Sequence, residues 1–246
     1  MFTFFTKKTY LVDLLEGFVD IHNHILPGID DGSKNVEESI ELIEAFGDFG
    51  VTSFICTPHI MSNYYENTPE TIKSAYTKLT TGLAKKGITD VSIEYAAEHM
   101  IDTNFEVLLE NELVMIMNTH YLLVEMSFLQ PPLNFDSAID KVAGKNLFPL
   151  LAHPERYGFL HGHYKKFETY KNEGVLFQLN ILSLAGYYGK KVQQTALKLL
   201  NDSLIDFIAT DVHNMRQLKT LKELQVSNKV RDLIIPVLNK TIYNFY

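Results

Sequence analysis

Apolar residues along this chain follow two alternating spacings. Short runs rich in β-branched and aromatic residues occupy positions 18–21, 51–56, 91–96, 121–124, 148–152, 175–179 and 205–209. Runs of this length, apolar at most positions, predict strands that are largely buried. The stretches between them carry apolar residues at helical spacing behind recognisable start signals. Asn35 caps a segment in which Glu37 and Glu38 precede Ile40, Leu42, Ile43 and Phe46. Thr68, followed by Pro69, opens another that carries Ile72, Tyr76, Leu79 and Leu83. Segments 105–112, 137–145, 190–201 and 218–238 are predicted helices on the same grounds, the last broken near Ser227 and Pro236.

Strands alternating with helices over this length imply parallel strands joined by right-handed helical crossovers, either closed as a barrel or open as a doubly wound sheet. The placement of chemically capable residues decides for the barrel. His22 and His24 leave the first run, and the ends of later runs supply His59, Glu98, Glu125, His153, Asp211 and His213. Side chains gathered at the carboxyl ends of nearly every strand belong to a barrel mouth and not to a single switch point.

Two histidines at i and i+2 leaving a strand point to one side, so both imidazoles can reach one ion. Carboxylates at the ends of apolar strands are costly unless paired, hydrogen-bonded or bound to a cation. With Asp31, the set is His22, His24, Asp31, His59, Glu98, Glu125, His153, Asp211 and His213. That is too many for one tetrahedral ion and suits two or three ions sharing carboxylates; the mixture of imidazole and carboxylate favours Zn, Mn or Fe over Mg or Ca.

Composition narrows the function further. The 246 residues, 46% hydrophobic and 21% charged, predict one globular domain over 1–246, with no linker of distinct composition. Residues 1–16 read as an N-terminal extension, with Phe2, Phe4, Phe5 and Tyr10 exposed or docked. A net charge of -8 argues against a protein that coats nucleic acid, so an anionic substrate must be held locally by metal or a few arginines. The one cysteine, Cys56, excludes an intramolecular disulfide, and no run is apolar and long enough to span a bilayer. Both points predict a soluble cytoplasmic protein. Cys56 also fails as a phosphatase nucleophile of the C-x5-R type, since Ser62 stands where the arginine is needed.

In this order, His22 and His24, the stretch from Asp30 to Lys34, Thr57 to His59, Glu98, Glu125, the stretch from His153 to Tyr157, and Thr210 to Asn214 resemble the polymerase-and-histidinol-phosphatase (PHP) family. More narrowly, they resemble its bacterial tyrosine phosphatases of capsule and exopolysaccharide operons, over a match running from about Phe18 to the C-terminus. The resemblance implies a distorted (β/α)7 barrel with three divalent ions at its mouth, manganese foremost and iron or zinc as alternatives. It assigns His22, His24, Glu98 and Asp211 to one ion, Glu98, Glu125 and His153 to a second, and Asp31, His59 and His213 to a third. Arg156 corresponds to an arginine that grips substrate phosphate. Arg216, three residues after His213, is the nearest match to a second one, which in these phosphatases lies farther along.

The implied reaction is hydrolysis of protein phosphotyrosine by a metal-bridging hydroxide. The implied partner is a bacterial tyrosine kinase with a tyrosine-rich tail. Two alternatives stand beside it: a small-molecule enzyme such as a histidinol phosphatase, and a catalytically idle metal-binding partner protein.

Overall fold

A computed structural model describes residues 8–246. The strands are β1 (Lys8–Tyr10), β2 (Val19–Asp20), β3 (Ser53–Cys56), β4 (His59–Ile60), β5 (Ser92–Tyr95), β6 (Glu98–Met100), β7 (Tyr121–Glu125), β8 (Phe148–Ala152), β9 (Leu176–Asn180), β10 (Phe207–Ala209) and β11 (Gln225–Ser227). The helices are α1 (Val36–Gly47), α2 (Pro69–Lys86), α3 (Phe105–Glu110), α4 (Phe135–Gly144), α5 (Lys165–Asn172), α6 (Ile181–Leu184), α7 (Lys190–Asn201), α8 (Met215–Glu223) and α9 (Asn228–Phe245).

The architecture is α/β with parallel sheets. One sheet runs β10-β9-β8-β7-β6-β4, a second runs β2-β3-β5, and all their pairings are parallel. Two predicted runs, 51–56 and 91–96, are each followed by a further short strand that the apolar pattern does not predict. Pro58 has no N–H to give the ladder and separates β3 from β4, while Ala96 and Ala97 separate β5 from β6. The first and last parallel strands meet through an isolated parallel bridge between Asn23 and Val212. Asp211 N donates to His22 O at 2.7 Å and His24 N to Val212 O at 3.0 Å. Asp20 reinforces this seam: its carboxylate accepts from Thr210 N at 2.9 Å and from Thr210 Oγ1 at 2.6 Å. Burial pushes the Asp20 pKa up to about 6 against these hydrogen bonds.

Residues of β2, β7, β8, β9 and β10 are largely buried on both faces, as continuous apolar runs require, whereas β5, predicted as buried, alternates exposed and half-buried residues at the outer edge of its sheet. Leu122, Val124, Leu151, Phe177 and Ile208 join the large core against the helices. Alternate residues, including Leu123, Leu150, Ala152, Phe207 and Ala209, form a second, inner cluster with Val19, Ile55 and Phe245. Both predicted helix starts hold: Asn35 accepts from Glu38 N, and Thr68 forms a reciprocal capping box with Thr71.

Of the two breaks predicted within 218–238, the one near Ser227 holds and the one at Pro236 does not. The chain forms α8, the short β11 and α9, with Ser227 capping α9, and Pro236 lies inside that helix without ending it. Pro236 is exposed while Ile234, Leu238, Thr241 and Phe245 anchor the buried face, so packing offsets the lost backbone bond. In the predicted extension, β1 pairs antiparallel with β11, and Leu11 and Leu15 are fully buried; Phe2, Phe4 and Phe5 lie outside the described residues. No helix among the described residues is long and apolar enough to cross a membrane.

Candidate metal centre

The inner cluster continues upward into the site. Glu125 stands two residues beyond Leu123 on β7, so the strand period keeps it on the inner side at the carboxyl end, while Glu98 opens β6 after Ala96 and Ala97 and Asp211 lies just past the end of β10. His153 and Asp211 adopt left-handed backbone, with φ of 36° and 51°. For side chains with a Cβ this costs about 1–2 kcal/mol each, strain of the kind that collects at functional sites.

The imidazoles of His22 and His24 face each other, with Nε2 atoms 3.3 Å apart. Each ring is fixed from behind: His22 Nδ1 lies 2.8 Å from Gln178 Oε1, and His24 Nδ1 lies 2.7 Å from Asp30 Oδ2. Both outer partners are acceptors, so each Nδ1 is the donor and, where a cation in the centre displaces any second proton, each Nε2 offers a lone pair. Two lone pairs cannot satisfy one another. Both also lie 3.3 Å from Asp211 Oδ1, and 3.3 Å and 3.6 Å from Glu98 Oε2. Acceptors converging on one point fit a cation.

A second observation supports that fit. His59 Nδ1 is 3.0 Å from Glu98 Oε2 and 2.9 Å from Glu125 Oε1, yet none of these three buried atoms has a hydrogen bond of acceptable direction. The distances are short and the angles wrong, as expected for ligand atoms arranged around a common ion. Burial alone lowers the pKa of His24 and His59, but the surrounding carboxylates hold both well above the ordinary value, so the cluster demands positive charge. Burial and the neighbouring Arg156 push His153 down to about 4, which leaves it neutral and able to ligate.

All nine sequence-selected residues come together. Their ligating atoms form four overlapping groups: His24, Asp31, His59 and His213; His22, His24 and Asp211; His22, Glu98 and His153; and His59, Glu98 and Glu125. These geometric groups cut across the division among ions implied by the resemblance at His59 and His153. His59 turns Nδ1 toward Glu98 and Glu125 while Nε2 stays 3.5 Å from Asp31, so its ring bridges two groups. His153 Nε2 meets Glu98 Oε1 at 3.0 Å and groups with His22, away from Glu125.

Arg156 reaches the centre. Its Nη1 donates to Asp211 Oδ2 at 2.7 Å, and its guanidinium lies 4.1 Å from the Tyr188 ring centroid and 4.7 Å from that of Phe128. Asn180 Nδ2 donates to the same Asp211 oxygen at 2.9 Å. The two oxygens of Asp211 therefore divide the work, Oδ1 toward the imidazoles and Oδ2 toward the cation of Arg156. Arg216 is exposed on the first turn of α8, in a cleft shared with Asp31, Lys34 and His213.

Gln178 has no role assigned from the sequence, and Asp30 and Gly32 are marked there only as members of the stretch from Asp30 to Lys34. A glutamine inside an apolar strand is a visible signal, because buried amides need partners. Asp30 also accepts from Gly32 N at 2.9 Å and His59 N at 3.2 Å, tying three parts of the site together. A Cβ on Gly32 would sit 2.0 Å from His24 O, so only glycine lets the Asp31 loop pack this closely.

The family described as "Capsular polysaccharide synthesis, CpsB/CapC" matches residues 18–227. This chain belongs to the CpsB/CapC family. Among curated CpsB/CapC relatives, it is 31% identical over 216 residues to tyrosine-protein phosphatase YwqE of Bacillus subtilis, covering 86% of this chain and 84% of that protein. It is 30% identical over 198 residues to the putative tyrosine-protein phosphatase CapC of Staphylococcus aureus, covering 80% and 77%. A crystal structure from work on YwqE of Bacillus subtilis and CpsB of Streptococcus pneumoniae, described as metal-dependent tyrosine phosphatases, superposes with a TM-score of 0.78 at 27% identity, covering 93% of this chain and 95% of that one. An amidohydrolase from Mycoplasma synoviae shares the fold at a TM-score of 0.56 and 12% identity, covering 98% and 92%.

Within this CpsB/CapC chain Cys56 is fully buried in β3, and burial, with Asp20 nearby, pushes its thiol pKa far up. Cys56→Ser is therefore expected to keep phosphatase activity within about threefold, the hydroxyl costing packing and not chemistry. Iodoacetamide should likewise leave turnover unchanged. A trapped cysteinyl-phosphate would overturn this.

Proposed function

We propose that this chain is a protein-tyrosine phosphatase that holds three divalent transition-metal ions, manganese foremost, at the mouth of a distorted barrel. Its proposed substrate is phosphotyrosine on a cytoplasmic tyrosine kinase segment serving capsule or exopolysaccharide synthesis. The observation carrying the metal reading is the convergence of the facing Nε2 atoms of His22 and His24 with the unsatisfied buried atoms of His59, Glu98 and Glu125. The names of the curated relatives support the choice of phosphotyrosine.

His22, His24, Asp31, His59, Glu98, Glu125, His153, Asp211 and His213 are the proposed ligands. Divalent ions held there would supply an activated water nucleophile near neutral pH and offset charge on the phosphate. The chain's own residues do the rest. Gln178 and Asp30 hold the two facing imidazoles in one tautomer. Arg156, stacked on Tyr188 and Phe128, presents a planar fork suited to two non-bridging phosphate oxygens. Arg216 is placed to meet substrate approaching over the Asp31 side. A phenolate leaving group, with a pKa near 10, departs without strong acid assistance.

The test combines metal analysis with turnover. After reconstitution with Mn, Fe or Zn, elemental analysis should give about two to three equivalents per chain, more than one tetrahedral site can use. Chelation should abolish turnover and lower Tm by several degrees, because ions that bind only the folded cluster stabilise it by mass action. A phosphotyrosyl peptide should be hydrolysed in preference to histidinol phosphate. One equivalent or fewer after reconstitution overturns the cluster; preference for histidinol phosphate overturns the substrate, and metal without turnover of either marks an idle binding protein.

A further inference from the structure

The mouth of the centre is bordered by aromatic rings that the proposed chemistry does not require. Tyr65 stacks on His59 with centroids 5.3 Å apart and planes 13° apart. Phe128 lies over His153 at 5.6 Å and 27°, and its ring also meets the Arg156 guanidinium. Each ring thus rests on a group directed at the centre. Neither is sealed in the core: Phe128 is 45% exposed and Tyr65 is partly exposed.

The surface continues outward from both. Tyr64 and Leu129, the chain neighbours of the two rings, are 78% and 90% exposed, large side chains left in water. Apolar groups concentrated next to a polar centre mark a contact surface, whereas scattered ones carry no message. A phosphate seated on the ions and Arg156 leaves its ester group to emerge at this rim. An aryl group can stack on or edge against both rings, while a seryl or other alkyl group offers no π surface.

We infer that Phe128 and Tyr65 form an aryl-selective wall, by which the site discriminates phosphotyrosine from alkyl phosphate esters. This rests on the phosphotyrosine reading above. Phe128 carries the larger share, because it contacts both the arginine that would hold the phosphate and a proposed ligand. Leu129, next to Phe128 in the chain, extends the wall toward apolar residues flanking the tyrosine.

The experiment compares competitive inhibition of the metal-loaded enzyme by phenylphosphonate and methylphosphonate, which share a phosphoryl group and differ in the ring. Phe128→Leu and Tyr65→Leu should each raise the Ki of phenylphosphonate about three- to tenfold, the range for loss of one aromatic contact. The Ki of methylphosphonate should move less than about twofold. Phe128→Tyr, which keeps the ring, should restore the selectivity, and elemental analysis should find the metal content of each variant unchanged.

A parallel rise in both Ki values, or none in either, overturns the wall and leaves the rings as supports for His59, His153 and Arg156. If the wild-type enzyme fails to hydrolyse a phosphotyrosyl peptide, the substrate reading itself falls. Turnover of that peptide with an unchanged phenyl-to-methyl Ki ratio in the variants removes only the wall.

Discussion

Arg156→Ala is expected to lower kcat/KM on a phosphotyrosyl peptide by about a hundredfold, the scale for removing one charge stabiliser from a transition state. Metal content should stay near the wild-type value. Asp211 Oδ2 loses its guanidinium partner at 2.7 Å but keeps Asn180 at 2.9 Å, and Oδ1 retains its position against both imidazoles. Arg156→Lys should recover only part of the loss, because an ammonium restores charge without the two-pronged geometry. Steady-state kinetics with parallel elemental analysis decides the matter. Wild-type activity in Arg156→Ala would mean that the arginine serves only as a salt-bridge partner for Asp211.

A larger loss is expected for Glu98→Gln, which keeps shape and removes charge. Glu98 is fully buried, with Oε2 3.3 Å from His22, 3.6 Å from His24 and 3.0 Å from His59, while Oε1 meets His153 at 3.0 Å. Burial raises its pKa, but the surrounding histidines overcome this and hold it well below the ordinary carboxylate value. An amide there is a poor bridge between cations. At least one equivalent of metal should be lost, and turnover should fall by about a thousandfold or more, equivalent to about 4 kcal/mol in the barrier. Full metal occupancy with activity within tenfold of wild type would remove Glu98 from the centre.

The strand runs were legible because burial on both faces leaves a continuous apolar signal, and 148–152 matches β8 residue for residue. The nine cluster residues were legible because strand ends carry few other His, Asp and Glu residues. What escaped depends on contacts between distant segments. The two-residue β4 beyond Pro58 is too short to leave a pattern and depends on the neighbouring strand, and the β1–β11 pairing joins segments with little apolar pattern of their own. The bridging orientation of His59 is set by ring rotation, which spacing does not encode. Gln178 and Asp30 act through the imidazoles they hold, so their role emerges only when the hydrogen bonds are seen.

The seam between the first and last parallel strands sets a timetable for assembly. Asp20 and Thr210 are 190 positions apart in sequence, a contact that closes a very long loop and forms late. A growing chain that has emerged only through β9 already carries His22, His24, Asp31, His59, Glu98, Glu125 and His153, but it lacks Asp211 and His213. Five potential ligands from the first half of the chain are thus available before the last two exist. Completion of the centre waits for β10 and the segment just after it, and a nascent chain that captured metal earlier would hold it in an incomplete, more exchangeable site.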